Sequence, residues 1–315
     1  YHKPNLWSRY LCYRRLMREY RRRLTDKLME LRPDVVSTTC GREMDFLCDI
    51  KDGSRKVGES HIAKDFVRNF HLMEARGFPH NWIARYYRAK QERAIARLDA
   101  FVVLSQYDAD SWAPVRKCEV IPNPLTIPEA SHHVQPRKRV ISVGRVTEQK
   151  GYDLLVEIWA RVAERHPDYE MAIFGGGPDQ MMIEQRAKEL GISDSFRFYP
   201  PTPDIVAEYE QSELYVMSSR FEGFGLVLVE AMSCGVPVLS FDCPHGPSDI
   251  ITDGQDGYLI PLGDIDSFAE RICYLIEHPE ERQRLTANGI ESARRYSLPH
   301  IIPQWERLFS RLIEG

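Results

Sequence analysis

Residues 214–259 read LYVMSSRFEGFGLVLVEAMSCGVPVLSFDCPHGPSDIITDGQDGYL, and this stretch decides the fold. Its apolar opening, Leu214 to Met217, predicts a short buried strand. A glycine turn follows, then a helix that we expect to end at Gly235, and then a second apolar strand from Val236 to Phe241. A strand, a turn, a helix and a strand in this order predict a parallel crossover unit, which binds ligands at the carboxyl ends of its strands.

The glycine turn of this unit predicts a site for a phosphate that carries sugars. The start of a helix presents free N–H groups and the positive end of the helix dipole, which favour an anion. Glu222 and Glu230 flank the turn, and carboxylates beside a phosphate are better suited to accept hydrogen bonds from hydroxyl groups. The residues of the turn and the helix start that we predict to contact the ligand are Gly223, Phe224, Gly225 and Leu226.

The two glutamates also carry a resemblance to a known family. Glu222 and Glu230 have seven residues between them, and this spacing resembles the paired-glutamate motif of retaining GT-B glycosyltransferases, in particular glycosyltransferase family four. The segment GPSDIITDGQDGYLI, residues 246–260, resembles the next segment of that family. Taken alone, such a pair of glutamates is more simply explained as one surface and one half-buried residue of a helix.

The resemblance extends over residues 30–312 and implies an α/β fold of the GT-B type, with two Rossmann-like domains facing a cleft. It implies an N-terminal acceptor-side domain over residues 1–124, a C-terminal nucleotide-sugar-binding domain over 125–295, and a last helix over 296–315 that returns to the first domain. A length of 315 residues suits two domains of about 150 residues each. Compared with the family, the first domain is expected to be incomplete at its N-terminus.

The resemblance also implies an activity. Members of the family move a sugar from a nucleotide diphosphate, here expected to be UDP, to a carbohydrate or lipid-linked carbohydrate acceptor, with retention of configuration. Such work belongs to polysaccharide or glycoconjugate biosynthesis and requires no metal or other cofactor. Glu222 is expected to face the transferred sugar, whereas Glu230 is expected to reach the ribose hydroxyls of the nucleotide.

Further ligand contacts are predicted where the other strands of the second domain end. The strand from Arg139 runs into a glycine turn, and the turn brings Arg145 and Lys150 to one strand end, where both cations can bind a diphosphate. Two surface cations near a loop are the simpler explanation of either residue alone. The contacts predicted at these strand ends, with the family's positions as a guide, are Gly144, Arg145, Lys150, Gly175, Gly176 and Tyr199.

A histidine of the first domain completes the predicted catalytic set. Residues 55–61 predict a short strand that ends in His61, and in the resembled family a histidine at this place faces the donor sugar. A structural loop histidine is the alternative. The residues expected to carry the catalysis are thus His61, Arg145, Lys150 and Glu222.

Composition excludes several other classes of protein. A formal charge of −4 and a pI near 6.2 argue against general nucleic-acid binding. Seven cysteines without any C-x-x-C spacing indicate neither a disulfide framework nor a zinc site, and favour a cytoplasmic protein. Asp108 and Asp110 have the spacing of a metal-binding pair, but they lie in a predicted helix, where side chains two positions apart diverge, so we expect no metal site there.

An amphipathic helix is predicted near the start of the chain. Apolar residues recur every three or four positions from Leu6 to Leu31. The other face of this helix is basic, with Arg14, Arg15, Arg18, Arg21 and Arg22. A solvated helix face is the simpler explanation, and peripheral contact with an anionic membrane at its inner face is the functional one.

Two other functions remain compatible with the sequence. A nucleotide-sugar epimerase could use the same fold, because fold does not determine reaction. A sugar phosphorylase would need a lysine bound to pyridoxal phosphate, and no lysine here has a matching context. A non-catalytic domain that only binds nucleotide sugars is the second function that remains compatible.

Overall fold

The computed structural model describes residues 5–62, 64, 77–112, 115, 117–128, 130 and 136–315. The chain divides into two compact units. The first unit comprises Tyr1–Val103, Ala109–Val120 and Gln304–Gly315, and the second unit comprises Leu104–Asp108 and Ile121–Pro303.

The first unit is built on a parallel sheet whose described strands have the order β1-β2-β3-β4. In chain order, the elements of this part of the chain are α1 (Leu6–Leu31), β1 (Val35–Thr38), β2 (Arg55–Ser60), α2 (His80–Ile95), β3 (Ala100–Val103), α3 (Gln106–Ser111) and β4 (Cys118–Val120). The central strand β3 is buried throughout, and α3 and the last helix of the chain are each divided between the two units.

The second unit contains a six-stranded parallel sheet with the order β10-β9-β8-β5-β6-β7. In chain order, its elements are β5 (Arg137–Val143), α4 (Tyr152–Arg165), β6 (Glu170–Phe174), α5 (Gln180–Glu189), β7 (Phe196–Tyr199), α6 (Ile205–Glu210), β8 (Ser212–Met217), α7 (Leu226–Ser233), β9 (Val238–Asp242), α8 (Pro247–Ile250), β10 (Tyr258–Pro261), α9 (Ile265–Glu277), α10 (Pro279–Ala293) and α11 (Leu298–Glu314).

The order of these strands determines where a ligand can bind. The chain builds β6 and β7 on one side of β5 and then returns to place β8 on the other side. The strand order therefore reverses between β5 and β8. In open parallel sheets, ligands bind at such a switch point, beside the carboxyl ends of the strands.

The apolar residues of β8 explain why this strand lies at the centre of the sheet. Leu214, Tyr215, Val216 and Met217 are all buried, so both faces of β8 are covered. Strands of parallel sheets have helices on both faces and therefore read as continuous apolar runs. One face of the sheet packs on α4 and α9, where Trp159 and Phe268 are buried, and the other face packs on α7.

The structure confirms the predicted α/β class and most of the predicted crossover unit. The strand expected at Leu214 to Met217 lies within β8, and the expected helix is α7. The next strand begins at Val238 rather than at Val236, because Gly235 has φ +76° and the chain turns there before the strand. Among the described residues, no helix has the length and apolar character needed to cross a membrane.

Candidate active site

Two loops meet at the carboxyl ends of β5 and β8. After a register shift between Arg137 and Val140, the strands pair with Val140 opposite Leu214 and Ile141 opposite Tyr215, so that their ends lie side by side. The loop after β5 carries Lys150, and the loop after β8 carries Glu222. The parallel pairing therefore brings together two residues that are far apart in the sequence.

Glu222 and Lys150 form a largely buried ion pair in this place. The Nζ of Lys150 lies 2.7 Å from Oε1 of Glu222, and their side chains are 17% and 8% exposed. The hydroxyl of Ser219 donates a second hydrogen bond to the same oxygen at 2.6 Å. The backbone N–H of Glu222 donates to the carbonyl of Pro244 at 3.2 Å. The carboxylate is thus held by two donors and by its own backbone.

A short 3₁₀ turn, Glu148–Lys150, positions the lysine. The turn ends at Gly151, whose φ of +64° is a left-handed conformation that favours glycine. The hydroxyl of Ser218 donates to the carbonyl of Lys150 at 2.9 Å. A Cβ atom at Gly144 would lie 3.1 Å from Cε of Lys150, so the glycine after β5 lets the lysine side chain lie against the backbone.

Arg220 joins the turn that carries Lys150 to the loop that carries Glu222. Its guanidinium makes two hydrogen bonds to the carboxylate of Asp153, at 2.7 and 2.6 Å. It also donates to the carbonyl of Glu148 at 2.9 Å, and the backbone N–H of Arg220 donates to the carbonyl of Gln149 at 2.8 Å. The hydrogen bonds from Arg220 hold the pKa of Asp153 below its ordinary value, against the effect of partial burial. Two-point pairing of this kind fixes orientation as well as charge.

Replacing Gly151 by Ala is expected to destabilise the protein more than the matched change of Gly191 to Ala. Both glycines have positive φ, +64° and +73°, where an L-residue costs about 1–2 kcal/mol. A Cβ atom at Gly151 would also lie 2.1 Å from the carbonyl oxygen of Ser218, whereas no described atom lies within 4 Å of one at Gly191. Urea unfolding midpoints measure the difference. Equal midpoints for the two variants would contradict the close packing of this turn.

Glu230 lies in the second turn of α7 and is half-buried. Its Oε2 accepts a hydrogen bond from the hydroxyl of Tyr209 at 3.1 Å. Burial raises the pKa of Glu230, while the hydrogen bond from Tyr209 and the charge of Lys150 act in the opposite direction. The charge of Lys150 therefore acts on Glu230 as well as on Glu222, its ion-pair partner.

The start of α7 has no side-chain cap. Gly225 occupies the N-cap position with φ +92° and has no side chain that could accept hydrogen bonds, so the first N–H groups of the helix lack the usual capping partner. Gly223 and Leu226, on either side of this point, are partly exposed. Phe224 is different, because its ring is buried and packs edge-on against Tyr296 with centroids 5.4 Å apart. Only the backbone of Phe224 is therefore available to a ligand.

The turns after β5 and β6 pack backbone against backbone. A Cβ atom at Gly175 would lie 1.9 Å from the carbonyl oxygen of Gly144, so glycine is required there. The backbone N–H of Gly175 donates to the carbonyl of Tyr199 at 3.0 Å, whereas Gly176 has open space beside it, with a side-chain atom of Gln180 at 3.7 Å from a Cβ position. The structure therefore brings these four predicted residues to neighbouring strand ends.

Both the ring and the hydroxyl of Tyr199 contact other residues of the sheet. Its ring stacks on Phe174, with centroids 5.0 Å apart and an interplanar angle of 16°. Its hydroxyl donates to Glu170, and burial together with this hydrogen bond raises the pKa of Tyr199. The ring of Tyr199 therefore belongs to the packed residues at the carboxyl ends of the strands.

The two remaining predicted residues are less constrained. Arg145 follows β5 and is exposed, and among the described residues it has no ion-pair partner. His61 follows β2 in the first unit, where it is exposed and its Nε2 lies 3.4 Å from Oε2 of Glu59. The hydrogen bond with His61 keeps the pKa of Glu59 below its ordinary value. The catalytic role expected of His61 stays a prediction.

Besides the ion pair of Lys150 with Glu222, three contacts of the site are not predicted from the sequence. These are the hydrogen bond from Ser219 to Glu222, the pairing of Arg220 with Asp153, and the hydrogen bond from Tyr209 to Glu230. Arg220 and Asp153 are 67 positions apart, and no local pattern pairs them. Of the three, only the contact of Ser219 could have been predicted, because Ser219 lies between the predicted strand and Glu222.

Comparisons with known proteins agree on one family. The model of the family described as glycosyl transferases group 1 matches residues 125–292. An uncharacterized glycosyltransferase of Haemophilus influenzae is 30% identical over 217 residues, which cover 68% of this chain and 62% of that protein. A poly(ribitol-phosphate) alpha-N-acetylglucosaminyltransferase of Staphylococcus aureus is 32% identical over 222 residues, which cover 68% of this chain and 42% of that protein. The chain thus spans less than two thirds of the length of these curated relatives.

Solved structures show the same fold. HepE of Anabaena, solved in complex with UDP, has a TM-score of 0.76 at 18% identity and is matched over 92% of this chain and 81% of its own. The lipopolysaccharide outer core galactosyltransferase WaaB has a TM-score of 0.70 at 22% identity, over 92% of this chain and 78% of its own. With the two parallel sheets described above, these likenesses confirm the predicted GT-B fold.

Proposed function

Because this chain belongs to the glycosyl transferases group 1 family, we propose that it is a retaining glycosyltransferase that moves a sugar from a nucleotide diphosphate donor to an acceptor hydroxyl. We take the donor to be a UDP-sugar and the acceptor to be a carbohydrate or a lipid-linked carbohydrate. One relative is named as a poly(ribitol-phosphate) alpha-N-acetylglucosaminyltransferase, which supports sugar transfer, and the similar structure of HepE was solved with UDP, which supports the donor. The work would belong to polysaccharide or glycoconjugate biosynthesis.

The observation that carries the proposal is the ion pair of Lys150 and Glu222 at the switch point of the sheet. A lysine ammonium has three donors, so Lys150 can bond to a phosphate oxygen while it keeps Glu222. The uncapped start of α7 supplies further N–H groups for the same anion. A cation and a carboxylate in contact at such a place suit a ligand with a diphosphate and sugar hydroxyls.

The diphosphate side of the site would stabilise the leaving group. Negative charge grows on the departing phosphate as its bond to the sugar breaks, and preorganised positive groups lower the energy of that state. Lys150 contributes one positive charge, and Arg145 can contribute a second with a fork that matches two phosphate oxygens. The dipole of α7 acts in the same direction.

The sugar side of the site would act by binding rather than by attack. Oε1 of Glu222 already accepts two hydrogen bonds, from Lys150 and Ser219, so we assign its carboxylate to sugar hydroxyls rather than to the covalent step used by retaining glycosidases. In the reaction proposed, the acceptor hydroxyl attacks from the face that the diphosphate leaves. Its proton passes to the departing phosphate oxygen, and the configuration at the sugar carbon is retained.

Incubation with a panel of labelled nucleotide sugars tests this function. Free nucleotide together with a glycosylated acceptor is the expected result. A changed sugar that stays on its nucleotide would identify an epimerase instead, and binding without any product would identify a non-catalytic domain. The variant Glu222→Gln is the control, since its product formation should fall with the same substrates.

We also propose that α1 makes peripheral contact with an anionic membrane surface. Arg14, Arg15 and Arg18 are exposed along this helix, whereas Arg21 and Arg22 form ion pairs with Asp49 and Glu19 at 3.7 and 2.9 Å. Exposed apolar side chains, among them Trp7 (72% exposed) and Leu11 (59% exposed), lie on the same helix. Basic and aromatic side chains together are typical of helices that lie in a membrane interface.

Binding to anionic vesicles should fall steeply as the salt concentration rises, because salt screens the attraction between arginines and lipid head groups. Sedimentation with anionic vesicles, and with neutral vesicles as the control, measures this binding. Equal recovery of the protein in the supernatant with both kinds of vesicle at low salt would contradict the proposed contact.

A further inference from the structure

Tyr209 has a buried hydroxyl that forms a hydrogen bond with Glu230, a residue of the proposed nucleotide site. Its side chain is 0% exposed, and its hydroxyl donates to Oε2 of Glu230 at 3.1 Å. Phenylalanine would fill the same space without a polar group. A buried tyrosine hydroxyl requires a hydrogen-bond partner, and here that partner is a carboxylate on α7.

The ring of Tyr209 is fixed by rigid elements. It lies near the end of α6, a helix whose start is capped by the side chain of Asp204, which accepts from the N–H of Ala207 at 3.3 Å. The ring also packs edge-on against Tyr215 of β8, with centroids 5.9 Å apart. The hydroxyl therefore has little freedom, and it holds one oxygen of Glu230 in one place.

The other oxygen of Glu230 is left for a ligand. Among the described residues, no donor forms a hydrogen bond to Oε1 of Glu230, and the positive charge of Lys150 acts on the same carboxylate. Burial raises the pKa of Glu230, and the hydrogen bond from Tyr209 lowers it. Tyr209 thus both orients this carboxylate and favours its ionised form, which is the better acceptor for hydroxyl groups.

We propose that Tyr209 is a positioning residue that makes this site selective for ribonucleotides over deoxyribonucleotides, by holding Glu230 so that its Oε1 accepts hydrogen bonds from the ribose hydroxyls. The inference rests on the proposed function, because it assumes that the nucleotide binds beside α7. Sites that hydrogen-bond a substrate hydroxyl reject analogues that lack it, since their own polar groups are then left without a partner.

Calorimetric titrations with UDP, 2′-deoxy-UDP and 3′-deoxy-UDP test the inference. The unaltered protein should bind UDP more tightly than at least one deoxy analogue by about tenfold or more, the usual size for a hydrogen bond to a charged group. In Tyr209→Phe this preference should shrink to about two- or threefold, because Glu230 is no longer held. Tyr215→Phe is the matched control: it removes a hydroxyl from a neighbouring, equally buried ring and should keep the preference.

A pH series separates positioning from a general structural effect. The hydrogen bond from Tyr209 lowers the pKa of Glu230, so its loss in Tyr209→Phe raises that pKa further. Affinity that needs the ionised carboxylate is lost as the pH falls through its pKa, and this loss should therefore begin at a higher pH in the variant. The other titratable groups that interact with Glu230 are Lys150, Tyr215 and Cys234, and they are unchanged in both proteins.

The outcomes separate the inference from the function on which it rests. If the unaltered protein did not bind UDP, the proposed function would fail and the inference with it. If UDP bound but Tyr209→Phe kept both the selectivity and the pH dependence of the unaltered protein, the inference alone would be overturned. Should Tyr209→Phe fail to fold, Glu230→Gln serves as the second variant: it must lose the same selectivity, and unchanged selectivity there would equally overturn the inference.

Discussion

Glu222→Gln is expected to lower turnover with the full donor about 100-fold, as for other losses of a preorganised electrostatic contact. Glutamine keeps the shape of the side chain but removes the charge that the sugar hydroxyls would meet. UDP binding should persist, because the same change frees Lys150 from its ion pair and leaves its ammonium to the diphosphate. Initial rates and UDP titrations on the same preparation measure both quantities.

Two further glutamate variants are compared with Glu222→Gln: Glu164→Gln as a control, and Glu230→Gln as a test of the second glutamate. Glu164→Gln alters an exposed residue of α4 and should leave both rate and affinity unchanged. Glu230→Gln should weaken UDP itself, because we assign Glu230 to the ribose. If Glu222→Gln lost UDP binding and Glu230→Gln kept it, the two roles would be reversed. If neither variant changed either quantity, Glu222 and Glu230 would be ordinary residues of a loop and a helix.

Lys150→Ala is expected to weaken UDP binding by about 1.5–3 kcal/mol, the range for a hydrogen bond to a charged group. This corresponds to roughly 10- to 150-fold in affinity. The variant also leaves Glu222 buried with the Ser219 hydroxyl as its remaining side-chain donor, so its folding should be checked by circular dichroism. Titration of UDP by calorimetry measures the binding.

Lys188→Ala is the matched control for this change. Lys188 is an exposed lysine of α5 in the same unit, and its removal should leave UDP affinity unchanged. An unchanged affinity in Lys150→Ala, with folding intact, would remove Lys150 from the diphosphate site. A loss of similar size in both variants would indicate a general effect of charge rather than a contact.

Features that depend on neighbouring residues could be predicted from the sequence. The apolar run of β8 indicates burial on both faces, and the glycines around Phe224 indicate a turn before a helix. The spacing of Glu222 and Glu230 is visible in the sequence in the same way. The family and the class of fold follow from these local patterns.

Pairings between distant residues could not be predicted in this way. Lys150 and Glu222 were expected to bind different parts of a ligand, and their contact with each other follows from the pairing of β5 with β8. The hydrogen bond from Tyr209 to Glu230 likewise joins two residues that are 21 positions apart. Such contacts depend on tertiary packing, which local propensity does not encode.

A capping pattern near α8 is overridden by tertiary packing in the same way. A serine and an aspartate before a helix usually cap it, and Ser248 and Asp249 suggest such caps. In the structure, α8 begins at Pro247 with Gly246 at its N-cap. Asp249 accepts instead from the backbone N–H of Gln106 at 3.1 Å. A partner 143 positions away replaces the local one.

A crystal structure of this protein with UDP would show directly where the nucleotide binds. We expect the diphosphate at the carboxyl ends of β5 and β8, within hydrogen-bond distance of Lys150 and the first N–H groups of α7, with the ribose at Glu230. Nucleotide bound elsewhere, or a diphosphate that leaves Lys150 without contact, would contradict it.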